Sequence, residues 1–357
     1  MKIKLIAILG TLFLVACNSQ ESAETAEPIQ AEPIQAEPAL ASAPATAPAA
    51  AEPSGPVYAL TQLEGDLYHA TSDTHATLVL LTAEGAILAD PLNLGFAEWL
   101  KSELSTRFNT TVRYLLYTHH HWDHASGGAV FSDTAELVGH ANMIPGLALP
   151  LAANYVPNDA NQDSAIQRDE ATGGLANSFD FMDENGDGNI TGTELNRFIL
   201  APTTTYSGAE YSVTLGGKEV RMVWAGDNHS NDGSIIIFSD YNTAFGADWL
   251  AVRAFPRSLY GAELDAWIEV TELLASLEPA RIVPGHTSHG VIGNLDDARA
   301  YAQMYRDLNE SLQTALGNGI SKEEFVSNLN LPAYSEWERY DSSLPLMAGQ
   351  AYDLATQ

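Results

Sequence analysis

The sequence predicts an α/β fold, a layered domain in which short buried strands alternate with amphipathic helices. Three observations lead there. At 45% hydrophobic over 357 residues, the chain can bury a sizeable core. Its texture changes at about Val57 from Ala/Pro/Glu-rich to globular. Beyond that point, apolar runs bounded by turn residues recur between segments of helical periodicity.

The N-terminal residues fit none of this pattern. Lys2 and Lys4 precede a weakly polar to apolar run from Leu5 to Ala16, too short to span a bilayer and suited to a signal peptide. It ends in Leu14-Val15-Ala16-Cys17, which resembles the lipobox of bacterial lipoproteins, so residues 1–16 are expected to be removed and Cys17 acylated. Two or more acyl chains give stable anchoring where one does not. The anchor is expected to face the periplasm of a bacterial envelope, and in a Gram-negative host Asn18, rather than Asp, points to the outer membrane. Residues 17–56 repeat AEPIQ from Ala26 and from Ala31, and such a composition forms a solvated spacer.

The globular elements follow in order. Leu78–Leu81 and Ala86–Ala89 read as strands across a Glu84-Gly85 turn. Phe96, Trp99, Leu100 and Leu104 fall at helical spacing in Phe96–Phe108. Val112–Tyr117 is a buried strand running into a histidine cluster. Strands at Tyr211–Leu215, Glu219–Trp224 and Ser234–Phe238 come next, the first two joined by a Gly216-Gly217 hairpin turn. Helices are expected at Ala262–Leu277 and Asp296–Gly317, then a C-terminal helical extension over 318–357.

Acidic residues outnumber basic ones by 46 to 16, a formal net charge of −30. Phosphate contacts need clustered Lys and Arg, so nucleic acid is excluded as a partner. The expected partners are a small-molecule substrate and, through the N-terminal lipid alone, a membrane. With Cys17 the only cysteine, no intramolecular disulfide exists.

The chemistry concentrates in Thr118-His119-His120-His121-Trp122-Asp123-His124. In an extended segment, residues two apart point the same way, so His119 and His121 can grip one ion. Asp123 and His124 lie further along, within reach of a second, while His120 and Trp122 point away. Imidazole with carboxylate suits zinc.

Residues 118–128, THHHWDHASGG, resemble the signature of the metallo-β-lactamase fold superfamily, and its other motifs follow in order: Asp90 ending AILAD, His229 in WAGDNHSNDG, Asp248 in AFGADWL and His286 in IVPGHTSHG. The resemblance covers about residues 57–317 and implies a four-layer αββα sandwich. It implies that His119, His121 and His229 hold one metal, that Asp123, His124 and His286 hold the other, and that Asp248 bridges them. Asp90 then orients a ligand without binding metal. His69, His75 and His140 are read as structural or surface residues, and His289 as a neighbour of the site. The implied cofactors are two zinc ions, with iron as the alternative.

The implied reaction is hydrolysis of a lactone, β-lactam, ester or thioester by a hydroxide shared between the metals, with Asp123 orienting it or shuttling its proton. Asp248, where β-lactamase subclasses carry Cys or Ser, resembles glyoxalase II and lactonase-type enzymes. Residues 203–238 also resemble exported proteins related to quinoprotein relay proteins. An iron-dependent oxidoreductase on the same scaffold and a non-catalytic calcium-responsive lipoprotein are the rival readings.

Between about residues 157 and 202 lies an insertion that the family does not require. Asp183, Asn185, Asp187, Gly188 and Glu194 fit positions 1, 3, 5, 6 and 12 of the EF-hand loop, with Asn189 offering its carbonyl and Thr191 a water contact. Calcium is the expected ion. Leu175, Phe179, Met182, Leu195, Phe198 and Ile199 are spaced as flanking helices. Asp159, Asn161, Asp163, Ile166 and Glu170 form a degenerate copy in which Ser164 replaces the glycine, so a single hand is expected.

Overall fold

The first sheet opens with three successive hairpins, whose later strands are buried on both faces. The structure, a computed structural model, describes residues 56–151, 155, 158–287 and 291–357, with residues 173–174 by backbone only. The leader, Cys17, the spacer up to residue 55 and His289 therefore lie outside the described residues. Strands β1 (Tyr58–Glu64), β2 (Leu67–Ser72), β3 (His75–Thr82) and β4 (Gly85–Ala89) pair antiparallel in sequence order.

The chain then crosses over through α1 (Leu94–Phe108) to β5 (Val112–Leu116), parallel to β4. Asn93 caps α1 by accepting from the Phe96 N–H at 3.0 Å, and Asn109 ends it in the left-handed conformation. After α2 (Trp122–Ala125), β6 (Glu136–His140) adds in parallel, followed by α3 (Met143–Leu147).

The inserted segment comes next: β7 (Ala165–Gln167), α4 (Gly173–Asn177), α5 (Phe179–Met182), β8 (Asn189–Thr191) and α6 (Gly192–Asn196). The chain then rejoins the first sheet as β9 (Thr204–Tyr206), completing the order β1-β2-β3-β4-β5-β6-β9.

A second sheet contains β10 (Glu210–Leu215), β11 (Lys218–Trp224), β12 (Ser234–Phe238), β13 (Thr243–Ala247) and β14 (Arg281–Pro284), paired in that order. Gly216 and Gly217 both have positive φ, as the tight hairpin between β10 and β11 requires. Between β13 and its parallel neighbour β14 runs α7 (Leu264–Ser276), and α8 (Leu295–Gly317), α9 (Lys322–Asn328) and α10 (Tyr340–Ala355) follow.

Period-two alternation divides the buried residues between two cores. From β3 and β4, Val79, Ala86 and Leu88 join Phe96, Ala97, Leu100 and Leu104 of α1. Leu78, Leu80, Ile87 and Ala89 turn the other way, into a larger core with Met222, Ile236, Phe245, Trp267 and Tyr305. Helices thus flank two facing sheets, the αββα sandwich that the resemblance implies. Phe325 of α9 and Leu344, Met347 and Ala351 of α10 belong to the larger core, so the boundary drawn at residue 317 does not divide the packing.

The insertion has a core of its own in Leu151, Ile166, Leu175, Phe179, Met182, Ile190 and Leu195, with Trp122, Tyr155 and Ala171 packed against it. Phe198 instead stacks on Phe181, and Ile199 packs on the core around α1. Strands β7 and β8 pair antiparallel with Ile166 opposite Ile190, equivalent positions of the two loops.

The loops also share one hydrogen-bond framework. Asp159 Oδ1 and Oδ2 accept from the Asp163 and Ser164 N–H groups at 3.0 and 2.8 Å, and Asp183 does the same for Asp187 and Gly188 at 3.1 and 2.9 Å. Ser164 takes φ 67° where Gly188 takes 86°. The 159–170 segment thus shares the framework of the 183–194 loop, because Ser164 adopts the left-handed backbone that normally selects glycine.

Candidate metal centre

Strand β5 delivers its chain end to the rim of the sandwich, where Thr118 through His121 leave the sheet in extended form and α2 begins. His119 Nε2 and His121 Nδ1 approach to 2.9 Å, both buried. The intervening His120 turns away to Asp232 at 3.0 Å, and Trp122 turns towards the insertion. From the loop after β11, His229 Nε2 comes within 3.0 Å of His121 Nδ1. Its backbone N–H donates to Asn228 Oδ1, which also accepts from Trp249 Nε1 at 2.6 Å.

Asp248 follows β13 and reaches both halves of the site. Its Oδ2 lies 3.1 Å from His229 Nε2 and 3.9 Å from His119 Nε2. Its Oδ1 lies 3.0 Å from His124 Nε2 and 3.3 Å from His286 Nε2, and those two nitrogens are 3.2 Å apart. Ala247, immediately before it, has φ 39°, a strained value of the kind that concentrates at functional sites.

Asp123 is placed differently from expectation. Its Oδ2 is 3.4 Å from His286 Nε2 and equally 3.4 Å from His75 Nε2, so it groups with those two, while His124 groups with Asp248 and His286. His75, assigned to structure or surface from the sequence, stands in one of the candidate donor groups, with Asp123 and His286. Its sequence neighbours carry no sign of this, because the first residue of β3 meets His286 only through tertiary pairing. Tyr260 was also missed; its ring lies 4.5 Å from that of His229, centroid to centroid. By contrast, His140 stacks on Trp224.

Asp90 sits beneath the centre, fully buried. It accepts from the Thr118 N–H at 2.7 Å, the Thr118 hydroxyl at 2.6 Å and His124 Nδ1 at 3.0 Å. Because the Thr118 hydroxyl donates to Asp90, it accepts from His119 Nδ1, 3.0 Å away. The His119 ring is thereby fixed with Nε2 unprotonated and aimed into the cluster. Asp90 orients His124, and against burial Asp248, Asp90 and Asp123 hold that imidazole well above its usual range. Burial pushes the Asp90 carboxyl up, and the bonds from His124 and Thr118 offset part of that rise.

Burial and neighbouring imidazoles hold His119 and His121 well below the usual imidazole range, so they present lone pairs rather than charge. Burial opposes ionisation of Asp248 and Asp123 too. His286 and His124 around Asp248, and His75, His124 and His286 around Asp123, outweigh it and keep both carboxyls below their usual range. Imidazole nitrogens and ionised carboxylates facing one another at 2.9–3.4 Å fit a metal, since ligands at about 2.1 Å around a tetrahedral ion lie about 3.4 Å apart.

The sequence profile described as the metallo-β-lactamase superfamily matches residues 74–286, a span holding every donor described above. A curated relative, the 2,4-dinitroanisole O-demethylase subunit alpha of Nocardioides sp. (strain JS1661), is 24% identical over 230 residues, 63% of this chain. The match spans 56% of that relative's length. Among solved structures, a metallo-β-lactamase from Pontibacter korlensis is similar at TM-score 0.50 and 16% identity, over 70% of this chain and 99% of its own. A stereoselective inverting sec-alkylsulfatase from Pseudomonas sp. is similar at TM-score 0.59 and 14% identity, over 83% of this chain and 50% of its own.

Proposed function

The chain belongs to the metallo-β-lactamase superfamily, and on that premise we propose that it is a dinuclear metal-dependent hydrolase of a small molecule. The observation that carries this is the two-sided reach of Asp248, whose Oδ2 faces the His119–His121–His229 cluster while Oδ1 faces His124 and His286. One carboxylate shared between two nests of imidazole donors is what a pair of adjacent ions requires. His119, His121 and His229 would hold the first ion, and His124, His286 and Asp123 the second, with Asp248 common to both. When bound, such a pair acidifies water near neutral pH and polarises a carbonyl oxygen.

The chain's own residues supply positioning and proton handling. Asp90 fixes the ring orientation of His124 directly and that of His119 through Thr118. Asp123 Oδ2 lies at the rim, where its side chain keeps 22% exposure, and is placed to accept a proton from an attacking water. Trp249 and Tyr260 wall the first cluster and limit water there. Zinc is the proposed metal. Iron accepts the same donors, so an iron-dependent oxidoreductase is the second reading.

The test is metal analysis of the purified chain together with a substrate panel: β-lactam, acyl-homoserine lactone, thioester, phosphodiester, alkyl sulfate and nitroaryl methyl ether. Two zinc equivalents and metal-dependent hydrolysis of one class are expected. His121→Ala should lose at least one ion and nearly all turnover. Full activity in that variant after rigorous chelation would sink the dinuclear mechanism, and iron with oxygen-dependent turnover would move the assignment to the oxidoreductase.

Calcium is proposed for the 183–194 loop. Support comes from Glu194, a buried carboxylate held by the Glu184 and Thr191 N–H groups at 3.1 and 2.8 Å. Asp183, Asn185 and Asp187 gather on the same loop and would complete the oxygen set with the Asn189 carbonyl.

A further inference from the structure

His75 opens β3, and three contacts fix where it lies. The Ala76 N–H donates to the Gly285 carbonyl at 2.8 Å, and the Thr287 N–H donates to the Thr74 carbonyl at 2.7 Å. Between these bonds His75 and His286 pair as an antiparallel bridge joining the start of β3 to the turn after β14. Directly opposed residues of such a pair project to the same side, and their rings meet edge to face with centroids 4.6 Å apart.

The distances then repeat. His75 Nε2 and His286 Nε2 each lie 3.4 Å from Asp123 Oδ2, the separation of about 3.4 Å expected for two ligands on a tetrahedral ion bound at about 2.1 Å. Donor atoms of the three side chains all fall within 4.8 Å of one another. His124 and Asp248 form the adjoining donor group, which shares His286. A ligand set of Asp123, His124 and His286 leaves one donor next to Asp123 unused, and that donor is His75.

We propose that His75 is a ligand of the second metal ion, giving that ion three imidazoles, His75, His124 and His286, together with Asp123. The assignment rests on the dinuclear reading above. A site this rich in imidazole favours zinc or another nitrogen-seeking transition metal over magnesium, calcium or manganese. It also ties metal retention to the junction of the two sheets, because His75 comes from the first and His286 from the second.

The experiment titrates zinc into the metal-free full chain against a chromophoric chelator, for wild type, His75→Ala and His75→Gln. Melting of each metal-free variant verifies folding, and if the alanine variant does not fold, the glutamine variant carries the comparison. Glutamine can still donate a hydrogen bond to Asp123 but is a poor zinc ligand. Both variants should keep the first ion and bind the second at least about tenfold more weakly, since disturbing even the outer partners of a metal site costs about 10–100-fold in affinity. X-ray absorption at the zinc edge should show fewer imidazoles per ion. A variant that holds the second ion within tenfold of wild type, glutamine included, overturns ligation by His75 and leaves the dinuclear reading standing. Wild type that binds fewer than two ions overturns the dinuclear reading itself, and the His75 assignment with it.

Discussion

At Asp90 the backbone passes through φ 40°, a conformation that costs a non-glycine residue about 1 kcal/mol or more. The neighbouring Leu92 repeats the sign at 55°. That strain turns the carboxylate under the site, where Thr118 and His124 both donate to it. Asp90→Asn keeps the shape but brings an amide that has one acceptor oxygen and an NH₂ group in place of the second. With the amide oxygen at the Oδ2 position the Thr118 N–H loses its acceptor, and with it at the Oδ1 position the Thr118 hydroxyl and His124 Nδ1 lose theirs. We expect metal affinity to fall about 10–100-fold while the fold persists, read by chelator competition and circular dichroism. Unchanged affinity would reduce Asp90 to packing. The metal donors grouped here, apart from His75, were legible because each stands in a motif whose spacing or flanking residues mark it. His75 was not, since nothing local separates a ligand from any other histidine at the start of an apolar strand. Asp123 was recognised as a donor, but its lean towards His75 is a tertiary fact.

Among the elements, α2 is the one with two faces. It is four residues long, and Asp123 and His124 point into the site while Trp122 packs against the core of the insertion and donates Nε1 to the Tyr155 hydroxyl at 2.5 Å. The insertion therefore leans on the residue between His121 and Asp123. Ion binding to the folded loop alone stabilises by about 2.7 kcal/mol at a hundredfold excess over Kd. Extracellular hands bind with Kd of about 10⁻⁴–10⁻³ M, so millimolar calcium should supply part of that and raise the melting temperature. Glu194→Gln should abolish the rise. Calcium should also shift KM at constant zinc content, and Trp122→Phe, which deletes the Nε1–H donor, should weaken that shift while leaving the thermal effect. Calorimetry without a calcium heat, together with an unchanged melting curve, would leave the loops as scaffold. The helices and most strands of the sandwich could be read from periodicity, whereas the pairing of the two loops could not. A serine in the left-handed region defies the glycine rule, and the Ile166–Ile190 contact forms only in the fold.

For the molecule as a whole, two sheets of seven and five strands meet with the donors along one rim. Among the described residues, no helix is long and apolar enough to cross a membrane. Attachment is proposed through acylated Cys17, so Cys17→Ser should move the protein from the membrane to the soluble fraction; retention after a salt wash would refute the lipobox reading. The fold class was legible because strands and helices alternate in the sequence. The limits of the domain were not, because α9 and α10 lie beyond the family motifs yet fill the same core. The β3 bridge to the His286 turn has one more consequence. His75, Asp90 and the histidines after β5 belong to the first half of the chain, whereas His229, Asp248 and His286 arrive only with the second sheet. A chain made from its N-terminus holds half a chelate until residue 286 has been synthesised, and the strand that receives His286 must wait with it. On the dinuclear proposal, capture of the second ion waits for the second sheet to close, and a chain truncated before β14 should carry no tightly held second ion.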